Sequence, residues 1–344
     1  MSTVPRPVII AGAVGSPYTR KMRALLRYRR IPYQYTDWGS PALEELPPRP
    51  RPLMPCIWLP EGESGWQALS DSTFQIRSLE ERYPGRSVIP NDAGLAFLSS
   101  LLEDYADEWV TKPMFFYRWA IEENVDHACN VLPLWSLAPD EMVARFRPTF
   151  GQRQIDRLSG VVTGDLEVCG PIIEASYRRL LALLREHLRT SRFVLGDRPS
   201  AGDFGLYGQL TQLVGVEPTS MALARSEAPR VMAWVDVVED LSGWSAEGDS
   251  GWTPREALGD TFRELLVEVG RTYAPFMLAN AQAVDAGDDE THCTIDGQRY
   301  WQKAFGYQRK CLGWLQDEYR GLSPDDRSFV DKTLAGTGCE ALLV

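Results

Sequence analysis

Three short segments in the first quarter of the chain carry the groups that could do chemistry: Ser16-Pro17, Met54-Pro55 and Asp71-Ser72. A serine or aspartate just before an amphipathic run is a typical helix N-cap, and the first amides of such a helix are unpaired and electropositive. Helix N-termini stabilise carboxylates and thiolates. The three segments together predict a site that holds a small thiol peptide against a β-sheet.

The first segment follows an apolar run at residues 8–11 that predicts a buried strand. Gly12 and Gly15 let the chain turn, and Pro17 after Ser16 suits the first position of a helix. By itself, Ser16 is better explained as an ordinary helix cap, because Ser-Pro is common at helix starts. A thiolate placed beside the Ser16 hydroxyl would nevertheless be stabilised relative to its thiol by the helix dipole.

The second and third segments also border predicted strands. A proline-rich connection at residues 47–52 leads to the apolar run 53–59. A proline is tolerated at the first residue of a strand, and a cis bond there would turn the Met54 backbone outward as an edge that can pair with a peptide. A strand pattern at residues 65–69 precedes Asp71-Ser72, which begins a helix and offers a second N-terminus to a carboxylate.

In these segments the chain resembles the glutathione transferase superfamily, as a serine-type, bacterial-like member with a C-terminal extension. The resemblance spans roughly residues 8–244. A fourth segment far downstream adds to it, because Ser200 and Asp203 there form a capping-box pair. The similar segments are the active-site loop Ser16–Lys21, the cis-proline motif Met54-Pro55, the γ-glutamyl turn and helix at residues 71–84, and the C-terminal signature at residues 193–206.

The resemblance implies an α+β fold of two domains. Residues 1–88 are expected to form a thioredoxin-like βαβ-ββα domain and residues 91–244 an all-helical bundle. The further residues 252–344 follow a glycine-rich linker and read as helices with a hairpin at Asp296-Gly297. Because a piece of this size buries only a modest core alone, we expect it to pack on the helical domain. A dimer interface is the alternative.

The resemblance also implies a mechanism with glutathione as co-substrate and no metal. Ser16 would donate a hydrogen bond to the sulfur and lower the thiol pKa, with Tyr18 and Thr19 as alternates. The thiolate would attack a small electrophile. The implied glutathione contacts are Met54 and Pro55 for the cysteinyl unit, Ser72 for the γ-glutamyl carboxylate, Asp71 for the ammonium, and Arg49 or Arg51 for the glycine carboxylate.

Three aromatic residues, Tyr105, Trp109 and Phe115, recur in a predicted helical region. They are candidates for the wall of the electrophile pocket. Aromatic residues at helical spacing are more often core, so the core remains the alternative for each of them.

Composition restricts the partners. The net charge of -11 argues against nucleic acid and anionic membranes. The polar, proline-broken start and the lack of a long apolar run predict no signal peptide or membrane span, hence a cytoplasmic protein. The six cysteines and three histidines lack metal-site spacing, so we expect reduced thiols and no metal. The resemblance implies a homodimer.

Two other functions stay open. A thiol-disulfide reductase of this fold would need a cysteine where Ser16 stands, so the sequence disfavours it. A non-catalytic binding or scaffold protein would retain the fold without the chemistry, and the sequence does not separate it from a transferase.

Overall fold

The computed structural model describes residues 6–136, 139–246 and 248–343. The ends of the first and third predicted domains, at residues 1–5 and 344, lie outside this range. Position 247 of the predicted linker lies outside it as well.

The N-terminal part is a four-stranded sheet with two helices. The strand order is β2-β1-β3-β4, with β1 and β2 parallel and the other neighbours antiparallel. This arrangement confirms the predicted thioredoxin-like fold. The elements are β1 (Val8–Gly12), α1 (Pro17–Tyr28), β2 (Tyr33–Asp37), a 3-10 turn (Pro41–Glu45), β3 (Cys56–Glu61), β4 (Gly65–Ser70) and α2 (Ser72–Arg82).

Both faces of the sheet are covered. On one face, Met22 and Leu25 of α1 belong to the main core together with Ile10 and Ile57 of the central strands. On the other face, Trp58 is buried beneath the proline-rich connection, and its indole nitrogen donates to the Pro47 carbonyl at 2.9 Å. The sheet is therefore a rigid support for the loops at its edges.

Helices make up the next part of the chain. They are α3 (Ala93–Tyr105), a π-helical turn (Ala106–Val110), α4 (Thr111–Trp119), α5 (Glu122–Val131), a 3-10 turn (Leu132–Ser136), α6 (Asp140–Val162), α7 (Leu166–His187), α8 (Ala201–Gly215), α9 (Pro218–Glu227) and α10 (Pro229–Glu239). None of the described helices has both the length and the apolar composition needed to cross a bilayer.

Because proline usually interrupts a helix, the sequence predicts a break at Pro113 and an interruption near Pro148 and Gly151. Pro113 does not break the helical run, because the backbone stays helical from α3 through the π-helical turn Ala106–Val110 into α4. The expected interruption near Pro148 and Gly151 is also wrong, because α6 continues through both. The carbonyl that Pro148 leaves without a partner belongs to the exposed Ala144, so water can satisfy it.

Helix α8 begins at the predicted capping box. Ser200 Oγ accepts from the Asp203 amide, and Asp203 accepts from the Ser200 amide at 2.8 Å and from the Val194 amide at 2.8 Å. The helix also passes close to α1. A Cβ at Gly208 would lie 2.7 Å from the Pro17 carbonyl oxygen, so only glycine permits this approach.

The C-terminal residues form α11 (Asp260–Ala286), a hairpin of β5 (Glu290–Ile295) and β6 (Gln298–Lys303), α12 (Gly306–Gly321) and α13 (Pro324–Leu334), with 3-10 turns at Arg255–Ala257 and Cys339–Leu343. The hairpin turn at Asp296-Gly297 is as predicted, with positive φ at both residues. The C-terminal residues pack on the N-terminal part as well as on the helical part, whereas only the helical part was expected. Helix α11 lies along α7, whereas α12 reaches both α3 and α2 of the N-terminal part.

Candidate functional site

The sheet register brings the three predicted segments to one edge. Ala11 of β1 pairs with Cys56 of β3, and Cys56 pairs with Ser70 of β4, so these residues form one row across the sheet. The loop to Ser16 leaves this row from β1, Met54-Pro55 enters it at β3, and Asp71-Ser72 leaves it from β4. The segments therefore meet although up to 55 residues separate them in sequence.

Ser16 is the N-cap of α1, as predicted. Its Oγ accepts from the Thr19 amide at 3.3 Å, a role that leaves the hydroxyl proton available to another acceptor. Two arginines hold the loop before it. Arg20 donates to the Val14 carbonyl at 3.1 Å, and Arg118 donates to the Gly15 carbonyl at 2.8 Å.

The two alternates to Ser16 are engaged by the protein interior. The Tyr18 hydroxyl donates to the backbone carbonyl of Asp107 at 2.9 Å, and burial raises the pKa of Tyr18 well above its usual range. Thr19 is fully buried, with its side chain against Gly12. Ser16 stays the predicted sulfur contact.

Asp71 caps α2 and lies between two donors. Its Oδ1 accepts from the Thr73 amide at 3.2 Å, and its Oδ2 accepts from the Tyr307 hydroxyl at 2.6 Å. The Asp71 backbone has φ of +83°, which side-chain-bearing residues rarely adopt. The peptide bond between Met54 and Pro55 is cis, and Gln75 ties this segment to α2 by donating to the Pro55 carbonyl at 2.8 Å.

Behind this edge lies a buried ion-pair cluster around Lys21. The ammonium of Lys21 contacts Glu103 Oε1 and Asp107 Oδ2, each at 2.6 Å, and also donates to Ser72 Oγ at 3.1 Å. Ser72 in turn donates to Asp107 at 3.2 Å. The Ser72 hydroxyl therefore faces inward, and only its backbone amide is left to serve an external anion.

Sequence reasoning missed this cluster. The one local signal was a lysine at position 21, on the same helical face as Tyr18, Met22 and Leu25. A charged residue on an apolar face is almost never fully buried unless it is paired. The partners come from α3 and the π-helical turn, more than 80 residues away.

Burial raises the pKa values of two acidic side chains in this region. It raises the pKa of Asp107 to about 6, an effect that Lys21 partly offsets and Glu103 increases. It raises the pKa of Glu108 to about 7, opposed by a hydrogen bond from Gln308 and increased by Asp107. Burial alone would lower the pKa of Lys21, but the two carboxylates outweigh it and hold the lysine charged.

Glu108 is therefore expected to make stability fall as pH rises from 5 to 7. Its folded-state pKa of about 7 exceeds the value near 4.5 in an unfolded chain, so the folded state binds more protons in this window. Denaturant unfolding at pH 5, 6 and 7 measures the slope. Glu108→Gln should remove a contribution of up to about 1.4 kcal/mol per pH unit.

Glu264→Gln is the matched control, because Glu264 is exposed on α11. It should leave the pH slope as in the unmodified chain. A Glu108→Gln slope equal to that of the control would show that Glu108 does not titrate between pH 5 and 7.

The predicted glycine-carboxylate contacts lie on the connection before β3. Arg49 and Arg51 are both exposed. The Arg49 guanidinium stacks over Trp38 at 4.1 Å and donates to the Trp38 carbonyl at 3.0 Å. The Arg51 carbonyl accepts from Ser70 Oγ at 3.2 Å, so this connection is fastened to the same edge of the sheet.

The three aromatic residues predicted for the electrophile pocket are all buried in the core. Tyr105 packs edge-on against Tyr273 of α11, and Trp109 contacts Phe276 and Tyr300 of the C-terminal part. The structure therefore does not bring Tyr105, Trp109 or Phe115 to an open surface near Ser16. The burial of Tyr105 and Trp109 follows from contacts with residues beyond 252, which local spacing does not reveal.

An open apolar groove lies elsewhere, between the 3-10 turn Leu132–Ser136 and α6. It has a volume of about 320 Å³, and Pro133, Met142, Phe146 and Phe150 are among its lining residues. The same turn packs on the Ser16 loop, because a Cβ at Gly15 would lie 2.8 Å from the Leu132 side chain. The 3-10 turn Leu132–Ser136 therefore contacts both the groove and the loop that carries Ser16.

One group of side chains has the composition of a metal site. Potential ligand atoms of Asp104, Glu108 and Cys311 lie within 4.8 Å of one another. Asp104 already accepts from the Tyr273 hydroxyl, and Cys311 Sγ donates to Glu108 at 3.9 Å. Burial raises the pKa of the Cys311 thiol far above its usual range, so the protonated sulfur is a poor ligand. We assign no metal to the group.

Comparisons with known proteins agree with this description. The glutathione S-transferase N-terminal domain family matches residues 11–87, and the glutathione S-transferase C-terminal domain family matches residues 141–236. Together the two matches span about half of the chain and include the Ser16, Met54-Pro55 and Asp71 segments. Neither reaches residues beyond 236. No curated protein sequence matches the chain.

Several solved structures similar to the chain contain bound glutathione. A glutathione transferase family member from Pseudomonas fluorescens, with two glutathione bound, has 14% identity and a TM-score of 0.42, over 68% of this chain and 89% of that one. A glutathione transferase from Burkholderia graminis, with two glutathione molecules bound per subunit, has 16% identity and a TM-score of 0.43, over 71% and 90%. Similarity at this level carries no information about activity.

Proposed function

The chain belongs to the glutathione transferase superfamily, and from that premise we propose that it binds glutathione and activates the thiol for attack on a small electrophile. The observation that carries the proposal is the row Ala11, Cys56 and Ser70. It gathers two helix N-termini and the Met54 backbone at one edge of a rigid sheet. A thiol peptide needs this combination of an anion site, a sulfur site and a strand edge.

Each part of glutathione has a candidate contact. The backbone of Met54 pairs with the cysteinyl unit, and the ammonium of the γ-glutamyl unit approaches the carboxylate of Asp71. The γ-glutamyl carboxylate meets the first-turn amides of α2, with the Ser72 amide as the main donor because the Ser72 hydroxyl is engaged by Lys21. Arg49 or Arg51 contacts the glycine carboxylate.

Ser16 and the α1 dipole act on the sulfur. A thiol of pKa about 8.5 loses its proton to solvent more readily when a hydroxyl donates to the resulting thiolate at a helix N-terminus. The thiolate electron pair then forms a bond to an electrophilic carbon. In a substitution the leaving group departs with its bonding pair, and in a conjugate addition the π pair of the acceptor shifts away from the attacked carbon and takes up a proton from solvent. We propose that the acceptor binds in the groove of Met142, Phe146 and Phe150, since Leu132 joins that groove to the Ser16 loop.

A non-catalytic binding protein is the second candidate. The burial of Tyr105, Trp109 and Phe115 favours it, because these candidate walls of an electrophile pocket are not open beside Ser16. A thiol-disulfide reductase is disfavoured by Ser16 itself. The homodimer and the cytoplasmic location stay predictions.

Calorimetry with millimolar glutathione is expected to show saturable binding, and an electrophile assay should show turnover. Ser16→Ala should lower turnover by on the order of ten- to a thousandfold, the range for losing one donor to an anion, while the Kd for glutathione changes little. The reason is that Ser16 contacts only the sulfur, whereas Met54 and the α2 N-terminus hold the rest of the peptide.

Ser323→Ala is the matched control, since Ser323 caps α13 through the Asp326 amide at 3.2 Å. It removes a helix cap without removing a sulfur contact. Equal turnover in the two variants would show that Ser16 only caps its helix and does not act on the sulfur. Saturable binding without turnover in the unmodified chain would favour the binding-protein alternative, and the absence of binding heat would refute the proposal altogether.

A further inference from the structure

The C-terminal residues reach the glutathione edge through one face of α2. Tyr307 contacts Asp71, Trp314 packs edge-on against Phe74 with ring centroids 4.8 Å apart, and Glu318 pairs with Arg77 at 3.0 Å. The α2 partners recur at every third residue and therefore lie along one side of the helix. Helix α12 is thus aligned with α2, with Tyr307 at the end nearest the candidate site.

Tyr307 and Thr73 together fix the Asp71 carboxylate, one donor on each oxygen. Asp71 also has a φ of +83°, a conformation that persists only where surrounding contacts determine it. A simple helix cap requires neither the phenol nor this backbone. A carboxylate has about four acceptor positions, so both oxygens can still accept from a third group.

The surroundings of Asp71 favour a cation. Asp107 and Glu108 are close enough to Asp71 that its charge helps raise the pKa of each, after the larger effect of burial. Burial also raises the pKa of Tyr307 far above its usual range, so the phenol stays protonated and remains a donor. An ammonium placed at Asp71 would therefore meet carboxylates beyond the two that Lys21 already pairs with, and the neutral phenol of Tyr307 adds no charge of its own.

We propose that Tyr307 is a positioning residue of the glutathione site, which holds the Asp71 carboxylate toward the γ-glutamyl ammonium. The C-terminal residues thereby complete the site within one chain and select thiol peptides that carry a free α-ammonium. The inference rests on the proposed function, because it assumes that glutathione binds at this edge. It adds a residue beyond both family matches to the binding site.

Two peptides test the inference: glutathione, and glutaryl-cysteinyl-glycine, which lacks only the α-ammonium. The unmodified chain should bind glutathione more tightly. Tyr307→Phe should raise the Kd for glutathione by about five- to tenfold, a fraction of what a hydrogen bond to a charged group contributes. It should leave the Kd for the ammonium-free peptide within about twofold.

Tyr319→Phe is the matched control, because the Tyr319 hydroxyl also donates to a carboxylate, that of Asp331 at 2.6 Å, and both residues belong to the C-terminal part. It should change neither Kd. Asp71→Asn completes a double-mutant cycle, because asparagine retains an N-cap and removes the charge. Added to Asp71→Asn, Tyr307→Phe should weaken glutathione binding no further. Asp71→Asn should likewise weaken glutathione binding selectively.

The outcomes separate this inference from the proposed function. If the unmodified chain binds neither peptide, the proposed function fails. If it binds glutathione and Tyr307→Phe weakens both peptides equally, Tyr307 only braces α2 and the inference is overturned. Unchanged affinity for glutathione in Tyr307→Phe would overturn it as well, with glutathione binding intact.

Discussion

Truncation after Gly251 is expected to yield a chain that is insoluble or has no cooperative unfolding transition. The removed residues cover Tyr105 and Trp109 of the helical part with the rings of Tyr273, Phe276 and Tyr300. Each large apolar side chain that becomes exposed costs about 1.5–3 kcal/mol, and a domain has only about 5–15 kcal/mol of stability. Buried core residues contributed by α11 alone include Phe262, Leu265, Leu266, Val269, Tyr273, Phe276 and Met277.

A polar loss accompanies the apolar one. The Lys112 ammonium donates to Gln302 of β6 at 2.7 Å and to the Val162 carbonyl at 2.9 Å. Without β6 the lysine loses a partner in a region where its pKa is already lowered to about 7 by burial. Solubility on expression and a thermal melt by circular dichroism measure the combined effect.

The control distinguishes the loss of the covalent connection to the C-terminal residues from the loss of their packing contacts. A protease site inserted in the linker at residues 248–251 allows cleavage after folding, so that the C-terminal piece stays bound. The cleaved protein should retain the melt of the intact chain. A truncated protein with a sharp melt at an unchanged temperature would instead identify residues 252–344 as an independent module.

The parts of the fold that sequence predicted are those with local signals. The Ser16 cap, the Ser200 and Asp203 capping box and the Asp296-Gly297 turn each depend on a few neighbouring residues whose backbone preferences are strong. The sheet followed from short apolar runs and the family resemblance. In these cases, local chemistry and the final structure agree.

The parts that sequence did not predict depend on contacts between distant residues. The hydrogen bond from Tyr307 to Asp71 joins positions 236 residues apart, and nothing near either residue indicates the other. Trp109 illustrates the same limit. Its spacing is compatible with both a pocket wall and the core. Trp109 is buried because Phe276 and Tyr300 pack against it, and sequence spacing does not predict where those two residues lie.

Lys21→Met is expected to lower the free energy of unfolding by about 3–5 kcal/mol, the range for removing one partner from a buried ion pair. Methionine fills nearly the same space, so the loss is mainly electrostatic. The substitution leaves Glu103 and Asp107 buried without their shared ammonium, which contacts both at 2.6 Å. Ser72 also loses the donor that orients its hydroxyl. Denaturant unfolding at pH 7 measures the change.

Arg178→Met is the control, because Arg178 forms an exposed pair with Glu174 at 3.1 Å, and such pairs contribute only about 0–1 kcal/mol.

A second substitution sharpens the test. If unpaired carboxylates cause the loss, Asp107→Asn added to Lys21→Met should recover part of the stability, although Asp107→Asn alone removes a native contact. Acid should act similarly on Lys21→Met, since protonation of Asp107 removes part of the uncompensated charge. A Lys21→Met protein as stable as Arg178→Met, with no response to pH, would show that the cluster does not hold α1, α2 and α3 together.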